Sequence, residues 1–173
     1  MPPSSTTLSA PRSKAEAFRV EPRADDVDAV ARLVRLTGVF NEGEIAIARE
    51  LVEENLAKGA QVSGYHFLFA DGPGGIEGYA CFGPIQGTAG RWELYWIAVD
   101  PRALRSGLGK RLQAASEEAA RAMGGVLLIA ETSTRPDYAP ARGFYLAQGY
   151  KLLAEIPDWH DEGDGLAIFG KRL

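Results

Sequence analysis

The sequence predicts one α/β domain of the α+β type, built on a single mixed sheet that is mostly antiparallel and twisted. Two observations support this prediction. Segments with helical spacing of apolar residues are interspersed with short strand-like runs along the chain. One such run, 126–132, follows a helix that itself follows a strand. This strand–helix–strand unit implies one parallel pair within the sheet.

The composition sets limits on the class of protein. With 173 residues, the chain is long enough for one domain with a full hydrophobic core. Its net charge of -4 argues against nucleic acid as the main ligand. Cys81 is the only cysteine, so no intrachain disulfide is possible and a cytoplasmic location is expected. No apolar run reaches the length of a membrane span.

The first 16 residues are rich in Ser, Thr and Pro and lack the apolar core of a signal peptide. We interpret residues 1–16 as a mobile tail and residues 17–173 as the folded domain. The domain is expected to begin with a strand at 17–22. Two helices follow, the first ending at Gly38 and the second starting at a capping box formed by Asn41 and Glu44.

The remaining elements follow from apolar periodicity and from glycine-rich turns. Three strands in an antiparallel meander are expected at 64–71, 75–85 and 91–100. After them the patterns predict a helix at 107–123, a strand at 126–132, a helix at 138–148 and strands at 150–156 and 165–173. The strand 126–132 is apolar without alternation, which is typical of burial on both faces. The predicted order is β-α-α-β-β-β-α-β-α-β-β.

The loop "LRSGLGKRL", residues 104–112, lies between a strand and the start of a helix. Gly107 and Gly109 would let the backbone approach an anion at the helix N-terminus, where amides are unpaired. The pattern is not a Walker A loop, since Arg111 follows Lys110, and it lacks the third glycine of a dinucleotide fingerprint. By itself it is equally compatible with a plain strand-to-helix turn.

Two segments together resemble the GNAT superfamily of acyl-CoA-dependent N-acyltransferases. They are "IAVDPRALRSGLGKRL" (97–112) and "ARGFYLAQGY" (141–150), which occur in the family's order with a strand between them. The sequence departs from the family pattern at Leu104, where Gln or Arg is usual, and at Tyr138, where Asn is frequent. Arg105 also stands where the family often has glycine.

The resemblance implies the GNAT fold, in which a splayed parallel pair of strands forms a crevice for coenzyme A. Backbone amides of about 105–110 would hold the pyrophosphate, and the pantetheine arm would pair with strand backbone. The residues expected at the cofactor are Ile97, Ala98, Val99, Arg105, Ser106, Gly107, Leu108, Gly109, Lys110, Thr132, Tyr138, Ala141 and Phe144.

The resemblance also places Tyr145 as the general acid that protonates the leaving thiolate, the alternative being a core aromatic. Glu93 matches a position that some family members use as general base. Alternation along the strand would put Glu93, Ile97 and Val99 on one face. There are three alternatives: Glu93 is solvated, it pairs with Arg91 or another cation, or the amine is deprotonated through ordered water. The backbone amide of Ile97 or Ala98, beside a strand bulge, is the expected oxyanion donor.

By resemblance, the acceptor pocket lies between the first two helices and the last two strands, and its expected residues are Phe40, Asn41, Glu42 and Trp159. No metal site is expected, since the spacing of Asp158, His160 and Asp164 is not diagnostic. The predicted function is transfer of an acetyl group from acetyl-CoA to the primary amine of a small molecule, by direct attack in a ternary complex. A protein lysine or N-terminal acetyltransferase and a non-catalytic acyl-CoA-binding module are the alternatives. A homodimer is left open.

Overall fold

The computed structural model of the protein describes residues 18–173; the tail expected at 1–16 lies outside them. The helices are α1 (Asp26–Thr37), α2 (Glu42–Lys58), the short α3 (Ala60–Ser63), α4 (Leu108–Ala122) and α5 (Ala139–Ala147). The strands are β1 (His66–Gly72), β2 (Gly75–Pro84), β3 (Arg91–Val99), β4 (Leu127–Ser133), β5 (Lys151–Asp161) and β6 (Asp164–Arg172). Short 3-10 turns at Pro101–Ala103 and Pro136–Tyr138 precede α4 and α5.

The six strands form one sheet in the order β1-β2-β3-β4-β6-β5. All neighbouring strands are antiparallel except β3 and β4, which are parallel. This confirms the mixed, mostly antiparallel sheet and its one parallel pair. The connection from β3 to β4 passes through α4, as a parallel pair requires.

The first strand predicted at 17–22 is wrong for the part that the structure describes. Only Arg19 pairs with the sheet, through a single bridge to Phe69 on the outer edge of β1. The Arg19 guanidinium binds the carboxylates of Asp26 and Asp71, and Pro22 has no amide to extend a ladder. The segment is therefore anchored by charge and by one bridge.

Each face of the sheet has its own hydrophobic core. One core lies under α1 and α2 and includes Val30, Val52, Phe69 and Tyr79. The other lies under α4 and α5 and includes Leu94, Leu112, Leu128 and Phe169. The α1–α2 layer packs on the β2–β3 half of the sheet.

The strand β4 is buried on only one face, so the prediction of burial on both faces is wrong. Leu128 and Ala130 belong to the core under α4 and α5, whereas Ile129 is half-buried and Glu131 is exposed. The reason is that α1 and α2 stop short of β4. On that side Ile129, Glu131 and Ile168 are not fully buried, whereas Ser133 and Leu166 at the far end of the pair are buried.

Candidate active site

The parallel pair separates after a short paired stretch. Residues 91–94 of β3 pair with residues 127–130 of β4, and no pair joins the two strands beyond Leu94 and Ala130. The strands then run on to Val99 and Ser133 with a free edge of backbone N–H and C=O groups on β3. A crevice outside the carboxyl ends of parallel strands is a common ligand site in sheets of this kind.

A β-bulge lies at the point where the two strands separate. The register between β2 and β3 moves by one residue between Cys81 and Phe82, so Tyr95 has no partner on β2. A bulge bends a strand and increases its twist, which turns the rest of β3 away from β4. The bulge expected beside the predicted oxyanion donor is therefore confirmed.

The bulge also exchanges the two faces of β3. Before it, Glu93 lies on the face of α1 and α2, because its neighbours Trp92 and Leu94 lie in the opposite core. After it, Ala98 is buried under α1 and α2, while Ile97 and Val99 pack toward α4. The prediction that Glu93, Ile97 and Val99 share a face is therefore wrong, because strict alternation fails across one extra residue.

The N-terminus of α4 lies at the carboxyl end of β3, at the mouth of the crevice. Its N-cap Gly107 has φ +80° and no side-chain capping hydrogen bond, and Arg105 before it also has a positive φ of 68°. The Leu108 amide donates to Ser106 Oγ over 3.3 Å, and the Arg111 amide closes the first helical turn onto the Gly107 carbonyl. Helix-terminal amides of this kind form an anion site.

The two sequence motifs meet at this mouth. A Cβ placed on Gly109 would lie 3.6 Å from the Phe144 ring of α5 and 3.7 Å from Val99 Cγ2 of β3. Ala141 is half-buried in the first turn of α5, and Thr132 lies half-buried on β4 across the crevice from Val99. The structure thus gathers most of the predicted cofactor residues around one opening.

Tyr145 is placed by α5 in the core under that helix. Its ring is only 7% exposed and packs against Phe144, Tyr150 and Phe169, with ring centroids 5.6 to 5.7 Å away. Burial raises the pKa of the Tyr145 phenol to about 12, so the group is a neutral proton donor at physiological pH. Within residues 18–173 no hydrogen-bond partner of its hydroxyl is found.

Glu93 is half-buried near the end of the paired stretch. Burial, with a smaller contribution from the charge of Glu131, raises the pKa of the Glu93 carboxyl to about 7. Within residues 18–173 no ion pair between Glu93 and Arg91 is found; the charge of Arg91 does not contribute to the pKa shift of Glu93, and its guanidinium donates to the Ala89 carbonyl over 2.6 Å. A carboxylate with this pKa suits a general base at neutral pH.

Glu131 is a candidate residue that the sequence interpretation missed. In the parallel register Glu93 lies beside Ile129, so Glu131 points to the same face one step farther along β4. It is exposed, at the start of the separation between the strands. The sequence did contain a signal, since Glu131 is a charged residue near the end of the apolar run 126–132. The prediction that this strand is buried on both faces drew attention away from it.

Aromatic rings connect the loop between α1 and α2 to both sides of the crevice. Phe40 packs against Trp96 of β3 at 4.9 Å and against Tyr138, which follows β4, at 6.1 Å. The Tyr138 hydroxyl donates to the Val39 carbonyl over 3.1 Å. The position of Tyr138 at the cofactor stays a prediction, and its hydroxyl holds this loop.

The other predicted acceptor residues are not gathered around Phe40. Asn41 caps α2 in the expected capping box with Glu44, and Glu42 pairs with Arg35 at 2.6 Å on the outer surface. Trp159 is exposed in the part of β5 that leaves β6 before the hairpin turn. In the same hairpin, Asp158 accepts the Gly163 amide, and no three His, Cys, Asp or Glu side chains within residues 18–173 form a metal-ligand group.

The family model described as Acetyltransferase (GNAT) family matches residues 35–150 of the chain. The match covers more than half of the sequence and includes both motifs and the crevice between them. The protein therefore belongs to the GNAT acetyltransferase family. No curated protein is significantly similar to it.

Solved structures agree with this assignment. A protein from Desulfovibrio desulfuricans, described as an acetyltransferase of the GNAT family, is 42% identical over 90% of this chain and 98% of its own, with a TM-score of 0.87. An aminoglycoside 6'-N-acetyltransferase complexed with coenzyme A is 18% identical over 87% of this chain and 92% of its own, with a TM-score of 0.68.

A third structure, the ribosomal-protein-S18-alanine N-acetyltransferase of Escherichia coli, is 17% identical over 88% of this chain and 90% of its own, with a TM-score of 0.68. At such identities the second and third structures share only the fold. The described part of the chain contains no helix long and apolar enough to cross a membrane.

Proposed function

We propose that the protein transfers an acetyl group from acetyl-CoA to the primary amine of a small cationic molecule, by direct attack in a ternary complex. The main support is the placement of Glu93 and Tyr145 on opposite faces of the sheet, near the point where β3 and β4 separate. A proton acceptor therefore faces one side of the crevice and a proton donor faces the other side.

The cofactor site is part of this proposal. The amides at the start of α4 would bind the pyrophosphate, and the free backbone edge of β3 beyond Leu94 would pair with the amides of the pantetheine arm. Gly107 and Gly109 keep side chains out of this approach. Arg105 and Lys110 add positive charge to the loop.

The chemistry follows from the two faces. Glu93 accepts a proton from the amine, directly or through water, as the nitrogen bonds to the thioester carbonyl carbon. The backbone amide of Ile97 or Ala98, next to the bulge, would donate to the oxyanion. When the carbon–sulfur bond breaks, Tyr145 gives its proton to the sulfur and regains one from solvent. The products are an amide and the free thiol.

The acceptor is proposed to be cationic because two carboxylates face its side of the sheet. Glu93 and Glu131 lie on that face, and Phe40 with Trp96 forms an aromatic wall beside them. Carboxylates and aromatic rings both attract ammonium groups. The ammonium group of such an amine first loses one proton to solvent, and Glu93 accepts the second proton as the carbon–nitrogen bond forms and then releases it to solvent.

An amine of a peptide, either an N-terminus or a lysine, is the second candidate acceptor. The observation in its favour is the partly exposed face over β4, β6 and β5, which lies beyond the strands β2 and β3 on which α1 packs. Leu153 fills the space above Gly170 there, next to Leu127, and forms an apolar floor. An extended peptide fits such a surface better than it fits a closed pocket.

The test is thiol release from acetyl-CoA with a panel of diamines, amino sugars, and peptides that carry a free N-terminus or a lysine, with the product identified by mass spectrometry. We expect thiol release only when an amine is present, and an amount of acetylated amine equal to the amount of thiol released. Tight binding of acetyl-CoA without transfer to any amine would instead indicate a binding module. The preferred class of acceptor distinguishes the two candidate functions.

A further inference from the structure

A buried polar network crosses the core between α4 and the last strand of the sheet. It consists of two side chains of α4, one that follows α5 and one of β6, and these are Gln113, Glu117, Tyr150 and Lys171. Gln113 Nε2 donates to the Tyr150 hydroxyl and lies 3.4 Å from Glu117 Oε1. Lys171 Nζ lies 2.6 Å from Glu117 Oε2. The proposed reaction uses none of these four side chains.

A network of this kind is not the simplest way to fill a core. A buried carboxylate and ammonium group lose their hydration, and apolar side chains of similar volume are often at least as stabilising. Gln113 Oε1 is buried without a hydrogen-bond partner within residues 18–173. Burial and the charge of Glu117 raise the pKa of the Tyr150 phenol above its usual value, so the phenol stays protonated. What such a network supplies is a fixed orientation of the groups that it joins.

The ring that this network holds packs against Tyr145. The centroids of Tyr145 and Tyr150 are 5.6 Å apart, with 53° between the ring planes. The Tyr145 hydroxyl has no hydrogen-bond partner in the described part of the chain, so its direction depends on the rings around it. Two of these rings, Phe144 and Phe169, have no polar side-chain atom. Tyr150 is therefore the one neighbouring ring of the three whose own orientation is fixed by a hydrogen bond.

The network also connects Tyr145 to the helix that begins at the glycine loop. Gly109, Gln113 and Glu117 are spaced four apart and lie on one stripe of α4. The Phe144 ring of α5 lies over this stripe at Gly109, and Tyr150 contacts it at Gln113. The first amides of α4 are those proposed to bind the pyrophosphate. Because the arm between pyrophosphate and sulfur has a set length, one helix that holds both ends of the site places the phenol at the sulfur.

We propose that Tyr150 is a positioning residue that acts through Tyr145. Gln113 and the ion pair of Glu117 with Lys171 hold Tyr150 in place. The inference rests on the proposed function, in which the Tyr145 phenol protonates the leaving sulfur. Tyr150 keeps its own proton and acts only by keeping that phenol directed at the sulfur. A displacement of about 1 Å in a reacting group can lower the rate about a hundredfold.

The test is a double-mutant cycle on the full chain. Tyr150→Phe keeps the ring and removes only its hydroxyl, so we expect kcat to fall about tenfold with unchanged acetyl-CoA affinity by calorimetry. In the Tyr145→Phe background the same change should alter kcat by less than about twofold, because the proton donor is already absent. The matched control is Tyr79→Phe, which removes a fully buried hydroxyl from the other core and should leave kcat unchanged.

A second variant approaches the same hydrogen bond from its other side. Gln113→Leu removes the donor to Tyr150, so it should reproduce the loss, and the two changes together should cost no more than either alone. Circular dichroism and urea unfolding verify that each variant is folded, and Gln113→Leu supplies the measurement if Tyr150→Phe does not fold.

The outcomes separate this inference from the reaction on which it rests. A slow Tyr145→Phe combined with normal turnover of Tyr150→Phe or Gln113→Leu would overturn the positioning role alone. So would an equal loss in the presence and absence of the Tyr145 hydroxyl, since the network would then support the fold in general. Normal turnover of Tyr145→Phe where chemistry limits the rate would overturn the acid role and the positioning role together.

Discussion

Replacing Glu93 by glutamine should reduce activity and increase stability in the same variant. As general base, Glu93 must be ionised, so kcat/KM of the wild-type protein should rise with pH through about 7, the pKa of this carboxyl. Glutamine has a similar shape but cannot accept the proton. We expect Glu93→Gln to lose the acidic limb of the pH profile and to lower kcat/KM by about 10²–10⁴-fold at pH 8.

The expected gain in stability follows from the same pKa. In the unfolded chain this carboxyl titrates at its ordinary value of 4.5, whereas in the fold it titrates at about 7. Between these pH values the folded state binds more protons than the unfolded state. The contribution of Glu93 to stability is therefore present below pH 4.5 and is lost as the pH rises through 7.

The size of the effect can be bounded. The difference between 4.5 and about 7 corresponds to at most about 3.4 kcal/mol of unfolding free energy at pH 8. Because the side chain is only half-buried and water reaches it, we expect about 1 to 2 kcal/mol. Glutamine does not titrate, so the variant should gain this amount over the wild type between pH 5 and pH 8.

The assay is urea unfolding of both proteins at pH 5 and pH 8, combined with kcat/KM across the same range. Glu50→Gln, on an exposed position of α2, is the matched control and should change neither quantity. If the acidic limb persists in Glu93→Gln, another group is the base. If the unfolding free energies of the wild type and the variant change equally with pH, burial does not raise the pKa of the Glu93 carboxyl.

Three further substitutions test other parts of the site. Tyr145→Phe keeps the packed ring and removes only the proton donor, so kcat should fall about 10- to 1000-fold with unchanged acetyl-CoA affinity by calorimetry; normal turnover where chemistry limits the rate would make Tyr145 a core residue. Gly109→Ala has room within the protein and favours the helix, so it should weaken acetyl-CoA binding at undiminished thermal stability, whereas Gly74→Ala in an open turn should change neither. Glu131→Gln removes a charge that raises the Glu93 pKa, so the acidic limb should move to lower pH. A limb that stays in place would mean that the charge of Glu131 does not affect the pKa of Glu93.

The features that local sequence determines were predicted well. The glycine that ends α1 has the left-handed conformation expected at Gly38, and the capping box of Asn41 and Glu44 forms as predicted. The parallel pair followed from a strand, a helix and a strand in succession. Such features depend on neighbours within a few residues, so a single sequence is enough to identify them.

The errors have a different origin, since each depends on contacts made by distant segments. The shared face predicted for Glu93, Ile97 and Val99 was wrong because the position of the bulge, at Tyr95, is set by the pairing of β3 with β2. The partly exposed face of β4 reflects where α1 and α2 end in space, which the apolar run 126–132 cannot show. The assignment of Asn41 and Glu42 to the acceptor site stays a prediction; in the structure Asn41 caps its own helix and Glu42 pairs with Arg35.

The separation of the two cores has a consequence for how such a protein can diverge. The core under α4 and α5 supports the loop and the phenol, whereas the core under α1 and α2 supports Phe40 and the carboxylate side. Mutations in the second core can accumulate and reshape one wall of the crevice while the other core stays unchanged. Because the two cores lie on opposite faces of one sheet, a substitution under α1 and α2 can move Phe40 without disturbing the packing of Tyr145.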